Sequence, residues 1–185
     1  ALLGFLAQRC LDGQAFVSST APNGLVGQTL RLQAGPRTHT GWLTVRFDPA
    51  RPAVCLQVSD SLGDALPAVI ARVRAWLDLD ADPAVIDACL SPADRGALAA
   101  TPGPLAGLRV PGCLDGFELA VRAILGQQIT VAGARRLGQR LVERFGEPFV
   151  TPWPELSRLF PSPEVLAQAS GDALGQLGIV RQRQG

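Results

Sequence analysis

The stretch from Gly107 to Phe145 constrains this chain more than any other, because it carries two helices with their ends written in. Asp115 stands where a helix N-cap belongs and Glu118 comes three residues later, the spacing of a capping box. Phe117, Val121, Ile124 and Leu125 then recur at helical spacing on one side, which predicts a half-buried helix. Gly126 is a residue able to make the left-handed turn that would stop it. Thr130 is placed to cap a second helix, whose Ala134, Leu137, Leu141 and Phe145 form another apolar stripe before Gly146. Between the helices lies a corner of Gly126, Gln127, Gln128 and Ile129. As bare geometry this is an αα-hairpin, but two amides and one apolar residue are an unusual tip to expose.

The rest of the composition narrows the function classes mostly by exclusion. The 185 residues suffice for one large or two small domains, and at 47% apolar they can bury a core. A net charge of +1 announces no nucleic-acid partner. Every basic residue is Arg, and the chain has no Lys, Tyr or Met. Cys10, Cys55, Cys89 and Cys113 lie too far apart in sequence for metal or redox spacing and are expected to be buried thiols. His39 is the single histidine, so no histidine-rich metal site is expected, and no cofactor. No apolar run approaches the ~18 residues that spanning a membrane needs. A soluble, cytoplasmic protein is the expectation.

Taken in order, the chain changes period twice. Ala1 to Cys10 reads as a short helix that opens without a start signal. From Ala15 the pattern has period two: Thr29–Gln33, Trp42–Phe47 and Val54–Val58 alternate, with Gly35-Pro36 and Asp48-Pro49 as punctuation, which predicts an antiparallel sheet. Leu62 to Leu77 returns to helix, with Leu66, Val69, Ile70, Val73 and Leu77 spaced for one covered face. A helix laid on a sheet makes a small α+β layer. The acidic run Asp78 to Pro83 is the seam, with capping chemistry for the next helix. Short helices are expected at Val85–Leu90 and Ala93–Ala100, a rigid connector at Thr101–Pro104, and further helix starts at Ser162-Pro163-Glu164 and Ser170-Gly171-Asp172. The expected class is α+β, with an N-terminal sheet domain over 1–79 and a helical domain over 80–185.

The words Arg109-Val110-Pro111-Gly112-Cys113-Leu114-Asp115-Gly116-Phe117-Glu118 and Val121-Arg122-Ala123-Ile124-Leu125-Gly126-Gln127 resemble the alkylation-repair DNA glycosylases, the 3-methyladenine DNA glycosylase II (AlkA) type of the helix-hairpin-helix superfamily. The resemblance implies a sheet domain followed by a helical glycosylase domain that accepts a flipped base from alkylated duplex DNA. It implies a bacterial, nucleoid-acting, monofunctional enzyme, monomeric and without a membrane partner. Gly4-Phe5-Leu6-Ala7-Gln8-Arg9 resembles the family's opening motif, which places Phe5 and Arg9 at the base pocket, together with Gln127 and Val131. On residue type alone Phe5 and Val131 are equally well core residues. By the same resemblance Gln128, Ile129 and Thr130 belong to the wedge that enters the minor groove, with Gln128 standing where the family prototype has an intercalating Leu. Extrusion of a base costs a few kcal/mol, which an inserted side chain partly offsets.

Besides Gln128, two further departures accompany the likeness. The family's Tyr-x-Arg near the second strand has no counterpart in a chain without Tyr, and the hairpin turn and catalytic Asp come after the point where this sequence ends. No Asp here matches that carboxylate, so the expectation is a fragment that alone releases no 3-methyladenine. Without Lys the chain also cannot supply the usual amine for a coupled lyase step. The competing expectation is a non-catalytic DNA-binding or damage-sensing module, part of a fused alkylation-response regulator. A third is a helical domain with no DNA contact.

Overall fold

The computed structural model describes residues 2–18, 24–48, 50–89 and 107–184. They fall into two compact units, one of Ala1–Val69 with Asp115–Gly185 and one of Ile70–Leu114.

The larger unit opens with helix α1 (Leu2–Ala7) and a four-stranded antiparallel sheet of β1 (Ala15–Ser18), β2 (Leu25–Ala34), β3 (Arg37–Phe47) and β4 (Val54–Val58), in that spatial order. The α+β class is as expected. β2 and β3 pair from Leu25↔Arg46 to Ala34↔Arg37 around the two-residue turn Gly35-Pro36, and Gly35 takes the positive φ of 59° that such a hairpin demands. The edge strand β4 alternates between half-buried and exposed, whereas β2 buries Leu25, Val26 and Gly27 in succession because both its faces are covered. The Phe16 ring fills the space a Gly27 side chain would need, and the Thr29 hydroxyl donates to the Arg158 carbonyl at 2.7 Å.

A 3-10 turn over Asp60–Ala65 packs on β3, with Leu62 against the bare backbone of Gly41, and leads into α2 (Leu66–Trp76). Here the predicted covered face needs correction. Leu62, Ala65, Val69, Val73, Trp76 and Leu77 are buried, while Leu66 and Ile70 are exposed. The tighter three-residue turn at the start shifts the register of the stripe by one position.

The helical part of this unit is built on α4 (Gly116–Gly126) and α5 (Val131–Phe145), followed by a two-stranded ribbon of β5 (Glu147–Pro148) and β6 (Arg158–Leu159), then α6 (Pro163–Ala167) and α7 (Gly171–Gln176). Its core joins Leu125, Leu141, Val142, Phe160 and Ile179 with Leu11, which comes from the segment after α1 and is fully buried. Gly138 lets Leu11 in: a methyl group there would stand 3.3 Å from the Leu11 side chain. The predicted serine caps hold, with Ser162 accepting from Val165 N–H and Ser170 from Ala173 N–H.

In the smaller unit, Asp78 adopts a positive φ of 54° and accepts the Val110 amide at 2.9 Å. Arg109 donates to the carbonyls of Asp78 and Ala81, and the Gly112 amide donates to Trp76 O at 2.9 Å. A side chain at Gly112 would meet Ala75 O at 2.7 Å, so the close approach requires glycine. Asp82 accepts the amides of Ala84 and Val85 at the start of α3 (Pro83–Cys89), the capping role expected of the acidic seam. Ala93–Ala100 and Thr101–Pro104 lie outside the described residues.

The thiols also need correction. All four are free, but Cys55 and Cys89 are exposed and only Cys10 and Cys113 are half-buried. Cys55 shares the open face of β4 with Gln57, because alternation on an edge strand leaves one face uncovered. No helix among the described residues is long and apolar enough to cross a membrane.

Candidate nucleic-acid interface

The helical hairpin positions the corner through caps at both of its helix starts. The Asp115 carboxylate accepts the amides of Phe117 and Glu118 at 2.7 and 3.2 Å, and the Thr130 hydroxyl accepts Gly133 N–H at 3.1 Å. Gly126 is the last helical residue of α4 rather than its left-handed terminator. The positive φ falls instead on Gln128, at 56°. The reason is that Gln127 leaves the helix in an extended conformation, which pushes the reversal one residue further on. Arg183 then clamps the turn, donating to the carbonyls of Gln127 and Leu125, two groups at the end of α4 that have no further helical turn to bond.

Gln127, Gln128, Ile129 and Thr130 are all exposed, with Ile129 at 39%. Among the described residues no group hydrogen-bonds the side-chain amide of Gln127 or Gln128. A corner held by its backbone and free in its side chains can offer two amides and an apolar group to a partner. Val131, at 48% exposed, opens α5 beside them.

Phe5 and Arg9 sit on and just after α1. The Arg9 guanidinium lies 3.6 Å from the centre of the Phe5 ring and donates to the Phe5 carbonyl, so the two form one cation-π unit with the ring 39% exposed. Of the residues assigned to a pocket by resemblance, the structure therefore joins Phe5 to Arg9, and it places Gln127 at the corner with Val131 at the start of α5.

What the sequence does not disclose is the interior of α4. Its spacing predicts that Glu118 closes a capping box, but the carboxylate does not return to Asp115. It is 6% exposed and accepts from Gln14 Nε2 at 2.6 Å, Gln28 Nε2 at 3.4 Å and Arg122 at 2.8 Å. Burial pushes this carboxyl above its ordinary value, opposed by the Arg122 charge and by the hydrogen bonds from Arg122 and Gln14. Its position on the Val121–Leu125 side of the helix is the one signal of this in the sequence. Fully engaged and enclosed, Glu118 holds the fold and has no oxygen to offer a substrate. Arg122 also donates to the Arg9 carbonyl, while Arg135 of α5 donates to Cys10 O at 2.6 Å and to Asp12 at 3.0 Å. Burial pushes the Cys10 thiol up to about 11, against the opposing charges of Arg122 and Arg135. No cluster of three metal-ligating side chains occurs among the described residues.

The curated proteins supply sequence relatives. The chain is 33% identical over 184 residues to DNA-3-methyladenine glycosylase 2 of Escherichia coli K12, covering 98% of this chain and 58% of that protein. It is 37% identical over 164 residues to a probable bifunctional transcriptional activator/DNA repair enzyme AlkA of Mycobacterium tuberculosis, covering 88% of this chain and 30% of that one. The chain thus spans somewhat more than half of the first relative and less than a third of the second. Among solved structures, a 3-methyladenine DNA-glycosylase from Archaeoglobus fulgidus shares the fold with a TM-score of 0.72 at 17% identity, covering 98% of this chain and 59% of that one. The structure of MBOgg1 in complex with a low-affinity DNA ligand matches with a TM-score of 0.61 at 16% identity, over 100% and 55%. The AlkA N-terminal domain model matches residues 1–115, well over half of the sequence, and the chain belongs to that family.

Proposed function

We propose that these residues form the sheet domain and groove-reading hairpin of a monofunctional base-excision DNA glycosylase. Its substrates are alkylated bases such as 3-methyladenine in duplex DNA, flipped out of the stack and released by hydrolysis of the N-glycosidic bond. The observation that carries this reading is the exposed corner Gln127–Thr130, clamped through the Gln127 carbonyl and with the Gln127 and Gln128 side-chain amides unused by the fold, in a chain similar to a DNA-3-methyladenine glycosylase over nearly its whole length.

In this reading Gln128 and Ile129 enter the minor groove and occupy the gap left by the extruded nucleotide, with Thr130 fixing the helix behind them. An amide inserted into the stack gives less apolar contact than Leu but can hydrogen-bond the widowed base. Phe5, Arg9, Gln127 and Val131 line the near wall of the base pocket. Alkylation at a ring nitrogen makes the base cationic and a good leaving group, so the pocket's task is to hold an electron-poor ring. The carboxylate that stabilises the sugar cation is assigned to no residue of this chain. The protein acts as a monomer, needs no cofactor and works on DNA in the cytoplasm.

A second reading is a non-catalytic damage-sensing module in a fused regulator; the Mycobacterium tuberculosis relative is named a probable bifunctional transcriptional activator/DNA repair enzyme, which supports the fusion alone. Both readings need the corner to meet DNA. Duplex binding measured by anisotropy, with and without a single abasic site, tests them together: the account expects the damaged duplex to bind more tightly and Gln128→Ala to shrink that preference. No measurable binding of either duplex would leave a helical domain without DNA contact, and equal affinity for both, unchanged by Gln128→Ala, would overturn the role of the corner.

A further inference from the structure

We propose that Arg122 and Arg135 are positioning residues that fix the Phe5–Arg9 unit to the helical hairpin by gripping the backbone carbonyls of the segment after α1; the functional half of this rests on the base-pocket reading.

A six-residue helix such as α1 is marginal on its own. Residues 9–12, immediately after it, are held by both helices of the hairpin. Arg122 of α4 donates to the carbonyl of Arg9, the same residue whose guanidinium covers the Phe5 ring. Arg135 of α5 donates to the next carbonyl, Cys10 O, at 2.6 Å. One turn further along α5, Gln139 accepts the Asp12 amide at 2.6 Å and donates to the Asp12 carbonyl at 3.3 Å. Between these grips Leu11 drops into the helical core. The Arg122 end is itself fixed, because its other nitrogen donates to Glu118, which Gln14 and Gln28 also bond.

A planar guanidinium can satisfy a carboxylate and a carbonyl at once, which a lysine ammonium on a flexible stem does poorly. The α1 register is in turn tied to Arg9 through the bonds Gln8 N–H to Gly4 O, Arg9 N–H to Leu6 O and Cys10 N–H to Ala7 O. Where Arg122 and Arg135 place these carbonyls decides where Phe5 stands relative to the helices that carry Gln127 and Val131.

The test uses the whole 185-residue chain with Arg122→Lys, which keeps the charge beside Glu118, and Arg135→Gln as an independent variant. Amide hydrogen exchange at Gln8, Arg9 and Cys10 is expected to quicken about tenfold, the effect of one charge-assisted hydrogen bond. Exchange at Leu141 and Val142 should stay at the wild-type rate. The second readout is preference for a duplex carrying one ethenoadenine over the same duplex with adenine, with Phe5→Ala as the reference variant. Faster exchange at residues 8–10 together with a preference reduced as in Phe5→Ala supports the proposal. Wild-type exchange in both variants overturns it, as does faster exchange with preference intact where Phe5→Ala abolishes preference. A Phe5→Ala protein with undiminished preference defeats the pocket reading, and the functional half of the proposal with it, whatever the exchange rates.

Discussion

Two polar sites stand within ten residues of each other on one hairpin and do opposite things. At Glu118, donors from three other residues converge on a buried carboxylate. At the corner Arg183 clamps the Leu125 and Gln127 carbonyls while the side chains of Gln127 and Gln128 are exposed. The first site commits its polar atoms to the fold, and the second leaves them for something else. Residue type does not separate the two, since glutamines serve both. What separates them is whether a partner from elsewhere in the chain arrives to satisfy them.

The sharpest way to break this comparison is to remove each site in turn. Glu118→Ala leaves buried Gln14 and half-buried Gln28 and Arg122 without their acceptor and is expected to cost about 3 kcal/mol, the low end of the penalty for breaking a buried pair because Arg122 is only partly enclosed. In a chain of this size that lowers the melting temperature by roughly 10 °C. Replacing Gln127, Gln128 and Ile129 together by Ala is expected to change stability by less than about 1 kcal/mol. Denaturant unfolding of both proteins checks the contrast, and equal losses would erase it.

A pH titration sharpens the same point. Glu118 has its folded-state value raised above the ordinary 4.5, so the folded protein holds this proton more firmly than the unfolded chain does. Its contribution is therefore fully present below pH 4.5 and is lost as pH rises through the folded value. Subtracting the unfolding free energies of Glu118→Gln from those of the wild type should give a difference that declines as pH rises above 4.5. A difference that grows with pH would mean that the Arg122 charge outweighs burial.

Smaller effects are expected at the corner. Thr130→Ala removes the cap from Gly133 and should cost about 1 kcal/mol by thermal melting. Gln128→Gly should leave stability within about 0.5 kcal/mol, because relief of the left-handed residue offsets the added freedom of the unfolded chain. This variant deletes the amide while keeping the turn, so any loss of DNA recognition belongs to the side chain. Smallest of all, with no change in fold, Cys10 should alkylate far more slowly than exposed Cys55 at about pH 8 in the native protein. Mass spectrometry of the labelled peptides reads the ratio, and equal rates would show that the grip on residues 9–12 opens readily.

How much of this is legible in the sequence depends on distance along the chain. The caps at Asp115, Thr130, Ser162 and Ser170 are local bonds over two or three residues, and local patterns find them. The sheet pairs as its alternation and its Gly35-Pro36 turn suggest. Glu118 is misread from sequence because a capping box and a buried carboxylate begin with the same spacing, and its glutamine partners lie 104 and 90 residues away. Propensity assigns to Gly126 the turn that Gln128 makes, while the Arg183 clamp, 56 residues from Gln127, holds the corner in its observed form. Leu66 and Ile70 fall off the buried face for a local reason, a 3-10 start that periodicity at 3.6 residues does not register. The corner's exposure accords with the pattern, but the grip of Arg122 and Arg135 on residues 9 and 10 has no signature in the sequence.

The proposed entry of the corner into duplex DNA, with a base held outside the stack, is open to direct measurement. The direct measurement is the fluorescence of 2-aminopurine placed beside a single mismatch, titrated with the wild-type chain and with the Gln127, Gln128 and Ile129 triple-alanine variant at matched folded concentration. Wild type is expected to brighten the probe as stacking is lost, and the triple variant to brighten it several-fold less at an unchanged melting temperature. Equal brightening by the two proteins, or none by either at saturating concentration, would contradict it.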